Sequence, residues 1–183
     1  MLAVGGTTAV ASTQSDSAAL MVEEGSSHSW VADVSDADSD KGLAPQATWG
    51  ACGIFDENLK VVRTFTNRAP GAGLPGGSST LNCGSENWGY RHTVKNHLSQ
   101  WQAKAALARE NWRDIADYGI LWAFKDPDKV TYRGSNDTYC YSRKINLVNE
   151  DTGEVVGNYY PDVAIARVSK RIITAIPASA QCR

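Results

Sequence analysis

Histidine is scarce in this sequence, which has three among its 183 residues, at positions 28, 92 and 97. Long apolar runs are also missing: none approaches the roughly 20 residues that a membrane-spanning helix requires, so no such segment is predicted. The four cysteines form no CxxC pair, and no G-x-S-x-G motif occurs. These absences argue against a thiolate zinc site and against a serine hydrolase of the nucleophile-elbow type.

Acidic residues are concentrated near the amino-terminal end. Residues 1–11 are uncharged and end in Ala9-Val10-Ala11, the small-x-small pattern of a signal peptidase site, so they are either a signal remnant or a flexible terminus. Up to Gln46, seven acids accompany a single base, Lys41, in a segment that has too little apolar surface to fold. After Gln46, 17 basic and 13 acidic residues give a net charge of +4, which permits a polyanionic partner.

All four cysteines follow the acidic leader. An even number of widely spaced cysteines is typical of two disulfides in an exported protein, so a secreted, extracellular protein is predicted. Three connectivities are possible. Pairing of sequence neighbours is favoured, Cys52 with Cys83 and Cys140 with Cys182. The alternative is four reduced core cysteines in a cytosolic protein.

The segment after the leader predicts a small hairpin and a linker. Apolar and β-branched residues flank a polar turn at Asp56-Glu57-Asn58 within residues 47–66, which is typical of a hairpin. Residues 69–79 are rich in Gly and Pro and predict a linker. The predicted domains are therefore a leader (1–46), a hairpin with linker (47–82) and a main domain (83–183).

Two helices and a sheet are predicted for the main domain. Apolar residues recur at steps of four and three over residues 93–112, with Thr93 as N-cap, and a second helix over residues 112–124 ends before Asp126-Pro127. Four β-prone runs with short connections follow, at residues 130–133, 138–148, 154–167 and 171–176. The predicted fold is α+β: two N-terminal helices packed on a C-terminal antiparallel meander sheet of about four strands, preceded by the hairpin and a disordered leader.

Residues 88–97, WGYRHTVKNH, hold two of the three histidines together with two cations. Histidine titrates close to neutrality, so His92 and His97 can act as base and acid in one turnover. Arg91 and Lys95 can hold the charge that builds on phosphoryl oxygens. If the helix begins near Thr93, His92 lies at its N-terminus, where an anion is favoured. Because residues five apart differ by about 140° around a helix, both imidazoles are predicted to reach one phosphate only if His92 lies outside it.

Structural roles are the alternative for both histidines. His92 then hydrogen-bonds at the start of the helix, and His97 is a boundary residue one turn from Trp101. No metal site and no cofactor is predicted, because helical zinc pairs are typically four residues apart and have a further ligand.

Aromatic and cationic side chains on the predicted strands can stack bases and bind phosphates, or can cover a half-buried sheet. With two residues of the decapeptide, they form the predicted substrate-binding set: Lys95, Tyr90, Tyr141, Arg143 and Arg167.

Two stretches resemble parts of secreted bacterial ribonuclease toxins of the barnase/EndoU/colicin/RelE superfold. Residues 89–97, GYRHTVKNH, look like the YRHI..RH helix start of actinobacterial toxin-like domains, and residues 171–177, RIITAIP, are similar to the terminal IITAFP strand of many such nucleases. The resemblance implies metal-free RNA cleavage by attack of the ribose 2′-hydroxyl on the adjacent phosphate. It also implies roles at five positions: His92 as general base or acid, His97 as its partner or a phosphate ligand, Arg91 and Lys95 as transition-state cations, and Thr174 as a substrate-positioning hydroxyl.

Two hypotheses of different classes remain open. The first is an exported, monomeric endoribonuclease toxin with RNA as substrate and an immunity protein as partner in the producing cell. The second is a non-enzymatic, disulfide-stapled secreted binding module that recognises a protein or a polyanion, with structural histidines. Incubation with RNA in excess chelator distinguishes them.

Overall fold

The computed structural model describes residues 28–32, 49–149 and 152–183, with the backbone alone for residues 28–32. The elements of these residues follow one another along the chain as β1 (His28–Ala32), β2 (Val61–Arg68), β3 (Gly77–Asn82), α1 (Gly89–Ala108), α2 (Trp112–Lys125), β4 (Lys129–Arg133), β5 (Thr138–Ser142), β6 (Ile145–Asn149), β7 (Val155–Ala166) and β8 (Ile172–Ala178). Neither described helix is both long and apolar enough to cross a bilayer.

The long strand β7 organises the larger sheet. Its first half pairs with β6, and its second half lies between β5 and β8, so that Ala164 is opposite both Cys140 and Thr174. The strand has 12 residues, which is long enough to serve all three neighbours. Strands β1 and β4 extend the sheet to the order β1-β6-β7-β5-β4, with β8 paired to β7, and every pairing among these strands is antiparallel.

Both helices pack on one face of this sheet. Trp101 of α1 meets the Tyr159 ring edge-on at 5.8 Å, and Phe124 of α2 meets Tyr141 at 5.3 Å. The polar atoms of these rings are satisfied: Tyr159 donates to the Ile115 carbonyl at 3.1 Å. Burial of each large apolar side chain contributes about 1.5–3 kcal/mol, so this aromatic layer fixes where α1 lies on the sheet.

A tight turn sets the start of α1. Gly84 has a φ of +67°, and a Cβ there would overlap the main-chain oxygen of Trp88, so the position requires glycine. Ser85 donates its N–H to that same oxygen at 2.9 Å, and the chain enters the helix at Gly89. The prediction of Thr93 as N-cap is therefore wrong. Thr93 is buried in the helix, and its hydroxyl donates to the Gly89 carbonyl at 3.2 Å.

The predicted hairpin lies later in the chain than expected. Strands β2 and β3 form a second, two-stranded sheet, and the Gly- and Pro-rich residues 69–79 supply its connection instead of a linker. Gly71 and Leu74 exchange two main-chain hydrogen bonds at this connection, of 3.0 and 2.8 Å. The turn at Asp56 does form, but residues 49–55 before it contain no strand.

The class α+β is confirmed, whereas the predicted order of helices and strands is wrong. The hairpin precedes the helices as predicted, but strand β1, which was not predicted, precedes it and joins the larger sheet, and five strands follow the helices instead of a four-stranded meander. The predicted strand 138–148 divides at Arg143 and Lys144, because the Lys144 N–H donates to the Asp128 carboxylate at 2.7 Å instead of joining a ladder. The leader that was predicted to be disordered lies outside the described residues except for His28–Ala32, which form a strand paired with β6.

Two disulfides are present, and they have the favoured pairing of sequence neighbours. Cys52 is linked to Cys83, which ties the chain before β2 to the end of β3. Cys140 of β5 is linked to Cys182, which holds the carboxyl-terminal residues on the sheet. The cysteines thus fasten two segments that have no regular structure of their own.

Candidate functional site

His92 and His97 lie close together on α1. The centroids of their rings are 5.4 Å apart, with the ring planes inclined at 70°, and both side chains are half-buried. Both residues are within the helix, so the prediction that His92 must lie outside it for the two rings to converge is wrong. Although the two Cα positions differ by about 140° around the axis, the imidazoles lean towards each other across the helix surface.

An oxygen atom lies next to one nitrogen of each imidazole. The His97 Nδ1 is 2.9 Å from the Gln100 side-chain oxygen, and the His92 Nδ1 is 2.8 Å from the main-chain oxygen of Glu86. An oxygen of this kind only accepts, so in the neutral His97 ring Nδ1 carries the hydrogen and Nε2 keeps its lone pair.

Asn96 offers His92 a competing partner. Its amide nitrogen donates to the His92 main-chain oxygen at 3.2 Å and also lies 2.9 Å from His92 Nδ1. The amide selects the tautomer in which Nδ1 accepts, whereas the Glu86 carbonyl selects the tautomer in which it donates. The imidazolium form resolves this competition in favour of Glu86, since both of its nitrogens donate.

The two imidazoles differ in their surroundings. Partial burial lowers the pKa of His97, an effect that its hydrogen bond to Gln100 opposes and the charge of His92 reinforces. The lowered pKa keeps the His97 ring neutral near pH 7, so its Nε2 can take up a proton. Among the described residues, nothing forms a hydrogen bond with Nε2 of either ring.

Lys95 lies beside this pair at the helix surface. Its ammonium is 2.6 Å from the Glu86 carboxylate and lowers the pKa of that group. The two side chains are 53% and 75% exposed, and exposed ion pairs of this kind contribute at most about 1 kcal/mol. Lys95 can accordingly exchange Glu86 for a phosphate at little cost.

Arg91, predicted as a transition-state cation, is instead fully engaged by the protein. Its guanidinium donates to the carbonyls of Gly84, Gly53 and Asp56 and to the side-chain oxygen of Asn58, at 2.7 to 2.9 Å. These bonds fasten the loop before β2 to the start of α1. Few of its five N–H donors remain for a substrate.

Tyr90 lies in an aromatic cluster beside α2. Its ring stacks on Trp112 with centroids 6.3 Å apart, meets Trp49 edge-on at 6.0 Å, and its hydroxyl accepts from Arg113 at 2.8 Å. Residues two apart on a helix face different directions, so Tyr90 and His92 do not form one site.

The other predicted substrate-binding residues lie away from the histidines. Tyr141 is fully buried and bonds Arg68, while Arg143 is 4% exposed and pairs with Asp126 beneath the Trp122 ring. Arg167 is exposed and pairs with Asp137 at 2.5 Å. The structure thus brings Lys95 to the histidine pair and leaves Tyr141, Arg143 and Arg167 outside it.

Thr174 lies on the far face of the sheet. Its neighbour Ala175 is buried in the helix-facing core, and the Ala175 carbonyl accepts from Trp101 of α1 at 3.1 Å. Because successive side chains of a strand point to opposite faces, Thr174 points away from α1. Its hydroxyl oxygen is buried there, and no described residue forms a hydrogen bond with it.

Sequence reasoning missed two residues that contact the imidazoles and two that meet at the start of α1. Trp88 is the N-cap of α1, and the guanidinium of Arg171 lies over its ring, 5.1 Å from the centroid. Asn96 and Gln100 hydrogen-bond the two imidazoles. Their spacing of four and three residues from His92 and His97 was a usable signal, since such pairs are neighbours on a helix.

No metal centre is assembled by the described residues around the imidazoles. Among all the described residues there is a single group of three potential ligand atoms within 4.8 Å of one another, and it lies away from the imidazoles, at Cys140, Asp162 and Cys182. Both of its sulfurs are joined in a disulfide and offer no thiolate. The described site thus consists of imidazole, ammonium and amide groups.

Together, the fold and this cluster define a disulfide-linked α+β protein with an imidazole pair on its first helix. The chain is similar to two uncharacterised proteins of Mycobacterium tuberculosis, one from strain H37Rv and one from strain CDC 1551. Each is 35% identical over 136 residues, which are 70% of this chain and 49% of the relative, so the chain spans about half the length of the curated relatives it matches. No family model matches the chain, and no solved structure gives a significant match.

Proposed function

We propose that this protein is a metal-independent endoribonuclease that cleaves RNA by attack of the ribose 2′-hydroxyl, leaving 2′,3′-cyclic phosphate ends. The observation that carries the proposal is the imidazole pair. The rings of His92 and His97 are 5.4 Å apart, and each has Nδ1 beside an oxygen and an Nε2 that no described residue bonds. Two groups that hydrogen-bond opposite sides of one phosphodiester can be up to about 7 Å apart. The distance between the two imidazole rings is within this limit.

The two imidazoles divide the proton transfers. His97, with its lowered pKa, takes the proton of the 2′-hydroxyl on Nε2 as the 2′-oxygen attacks phosphorus. The bond from phosphorus to the 5′-oxygen breaks, and His92, as an imidazolium, donates the proton that this oxygen needs. Concerted acid and base catalysis of this kind contributes about 10²- to 10⁴-fold each in rate.

Lys95 supplies charge to the phosphoryl oxygens in this proposal. It lies one turn or less from either histidine, and its partner Glu86 is exposed. Cations positioned where negative charge develops stabilise the transition state. Toxicity to competing bacteria, export and neutralisation by an immunity protein remain part of the same proposal and rest on the resemblance to secreted ribonuclease toxins.

The test is cleavage of total RNA by the purified, disulfide-intact protein in excess chelator, with analysis of the fragment ends. We expect fragments with cyclic phosphate ends from the wild type and from His28→Ala, which removes the third histidine as a matched control. The double variant His92→Ala and His97→Ala should leave the RNA intact. Intact RNA with the wild type, or cleavage that survives in the double variant, would overturn the proposal.

The dependence of the rate on pH provides a second readout. The base must be unprotonated, so kcat/KM should fall as the pH drops through the pKa of His97, which lies below its ordinary value of 6.5. The Gln100→Leu variant removes a hydrogen bond that raises this pKa and should shift the acidic limb of the profile to lower pH. An unchanged limb in this variant would remove His97 from the role of base.

A loop of exposed apolar residues favours the second candidate, a secreted binding module. Ile54 and Phe55 are 85% and 95% exposed, although the loop is held by the Cys52–Cys83 disulfide and by Arg91. Rigid, exposed aromatic groups are typical contact residues of protein interfaces. If the wild type leaves RNA intact, this function becomes the better candidate, and Phe55→Ser should abolish binding of a partner that the wild type retains.

A further inference from the structure

Arg171 is held in a fixed position at the start of β8. Its carbonyl accepts from the Ala166 N–H at 3.0 Å, and its backbone bridges in parallel to Thr80 of the hairpin. The side chain extends over Trp88, with the guanidinium carbon 5.1 Å from the ring centroid. Arg171 thus joins the hairpin, the sheet and the N-cap of α1 at one point.

The guanidinium lies at the same end of α1 as the histidines. Two of the contacts along α1 and β8 show how they are oriented. Near the start of both elements Trp88 contacts Arg171, and further along Trp101 donates to the Ala175 carbonyl. The helix and the strand therefore run side by side in the same direction. His92 follows Trp88 by one turn, a rise of about 6 Å, and lies on the same side of the helix.

The contact with Trp88 leaves the N–H donors of this arginine unused. The guanidinium carbon lies over the indole ring, 5.1 Å from the centroid, a cation–π contact that needs none of the five N–H donors. A guanidinium with unused donors can bind the oxygens of a phosphate. Within the described part of the chain, the Arg171 side chain makes no hydrogen bond and no ion pair. The neighbouring cations differ, since Arg91 serves main-chain carbonyls and Lys95 pairs with Glu86.

We propose that Arg171, oriented by Trp88, binds a backbone phosphate of single-stranded RNA next to the scissile phosphodiester. The inference rests on the proposed ribonuclease function and names a binding residue for it. It transfers to Arg171 the phosphate contact that Arg91 is not free to make. The contact is electrostatic and independent of base sequence, so it should affect all RNA sequences equally.

Binding is measured with a 2′-O-methyl oligoribonucleotide, which lacks the attacking hydroxyl and is not cleaved. Fluorescence anisotropy over a range of salt concentrations gives Kd and the slope of log K against log salt for each variant. We expect Arg171→Ala to weaken binding about 10-fold and to reduce the slope by about 0.7, the loss of one phosphate contact to a single strand. Arg171→Lys should keep the slope but weaken binding, because the ammonium lacks the planar pair of donors.

The matched control is Arg183→Ala. Arg183 is exposed, carries the same charge and lies with the carboxyl-terminal residues next to Asp162, on the sheet face away from α1. This variant should retain the wild-type Kd and slope. Equal weakening in both variants would mean that only the net charge matters, and would overturn the inference.

The outcomes separate this inference from the function on which it rests. If the wild type binds the oligonucleotide but cleaves no RNA, and Arg171→Ala loses affinity, the chemistry fails and the binding residue stands. If the wild type cleaves and Arg171→Ala binds with unchanged Kd and slope, the inference fails and the chemistry stands. If Arg171→Ala does not fold, the same binding and cleavage measurements are made with Arg171→Gln. This variant removes the charge but keeps a planar amide that can contact Trp88.

Discussion

The substitution Arg91→Ala tests whether this arginine is structural, as its contacts indicate, or catalytic, as the sequence predicts. Its guanidinium bonds the carbonyls of Gly84, Gly53 and Asp56 and the side chain of Asn58. Alanine removes all four bonds and leaves three main-chain carbonyls without this partner. The loop that carries Cys52 is then held by its disulfide to Cys83 and by the packing of Trp49 on Tyr90 of α1.

The expected loss of stability follows from the exposure of these bonds. Those to Gly84 and Asp56 are partly buried, at 2.8 and 2.7 Å, whereas the other two are exposed. Bonds to a charged donor contribute about 1.5–3 kcal/mol when buried and less in water, so we assign about 1–1.5 kcal/mol to each partly buried bond. The total is about 2–3 kcal/mol, which for a chain of this size lowers Tm by roughly 4–12 °C.

Thermal unfolding followed by circular dichroism measures this loss, with Lys95→Ala as the matched control. Lys95 lies one turn further along α1, carries the same charge, and forms an exposed pair with Glu86, so its removal should lower Tm by less than about 4 °C. RNA cleavage well below both Tm values should persist in Arg91→Ala. If Arg91→Ala loses RNA cleavage while its Tm stays within about 3 °C of the wild-type value, Arg91 acts at the site and the structural argument is wrong.

Three further predictions concern stability. Replacing Cys140 and Cys182 by serine opens a link between residues 42 apart and should lower the free energy of unfolding by about 3–4 kcal/mol in urea titrations; an unchanged midpoint would contradict this. The lowered pKa of His97 means that, near pH 6.5, the folded state binds fewer protons than the unfolded state. The free energy of unfolding should therefore fall as the pH drops below 6.5, and it should fall less in the His97→Gln variant. Measurements of Tm at pH 7.5 and 5.5 for both proteins test this. Gly84→Ala places a Cβ against the carbonyl of the N-cap residue, whereas Gly153→Ala, at a similar positive φ, has open space; Gly84→Ala should therefore be the more destabilising by at least about 2 kcal/mol, and equal losses would refute the steric argument.

The elements with strong local signals could be predicted from the sequence. The helix α2 extends over Trp112–Lys125, within one residue of its prediction, because Asn111 caps it and Asp126-Pro127 follows it. Its Asn111 side chain accepts from the Arg113 N–H at 2.8 Å, a contact between near neighbours in the chain. Strand β7 was predicted to within one residue at each end for a similar reason, since polar turns flank it.

Features that depend on distant contacts could not be predicted in this way. The start of α1 is set by the turn at Gly84, whose N–H donates to the Asn58 carbonyl at 2.8 Å, and by Cys83, whose N–H donates to the Lys60 carbonyl. Neither contact leaves a trace in the periodicity of residues 93–112. The hairpin was misplaced because the Gly- and Pro-rich connection has the composition of a linker, and only the pairing of β2 with β3 identifies its role.

The candidate site shows the same division between local and distant information. The histidines could be found because they are five residues apart on one helix, and their hydrogen-bond partners Asn96 and Gln100 lie within a turn of them. The cations could not be ranked, because Arg91 and Arg171 are chemically identical and each falls within a stretch that resembles a nuclease motif. The two differ in what their N–H donors contact. Main-chain carbonyls of the loop before β2 and of the turn at Gly84 accept from Arg91, whereas Arg171 lies over an indole that uses none of its donors. Assigning a catalytic or binding role to an arginine therefore requires knowing which carbonyls lie within its reach, and the folded chain alone determines that.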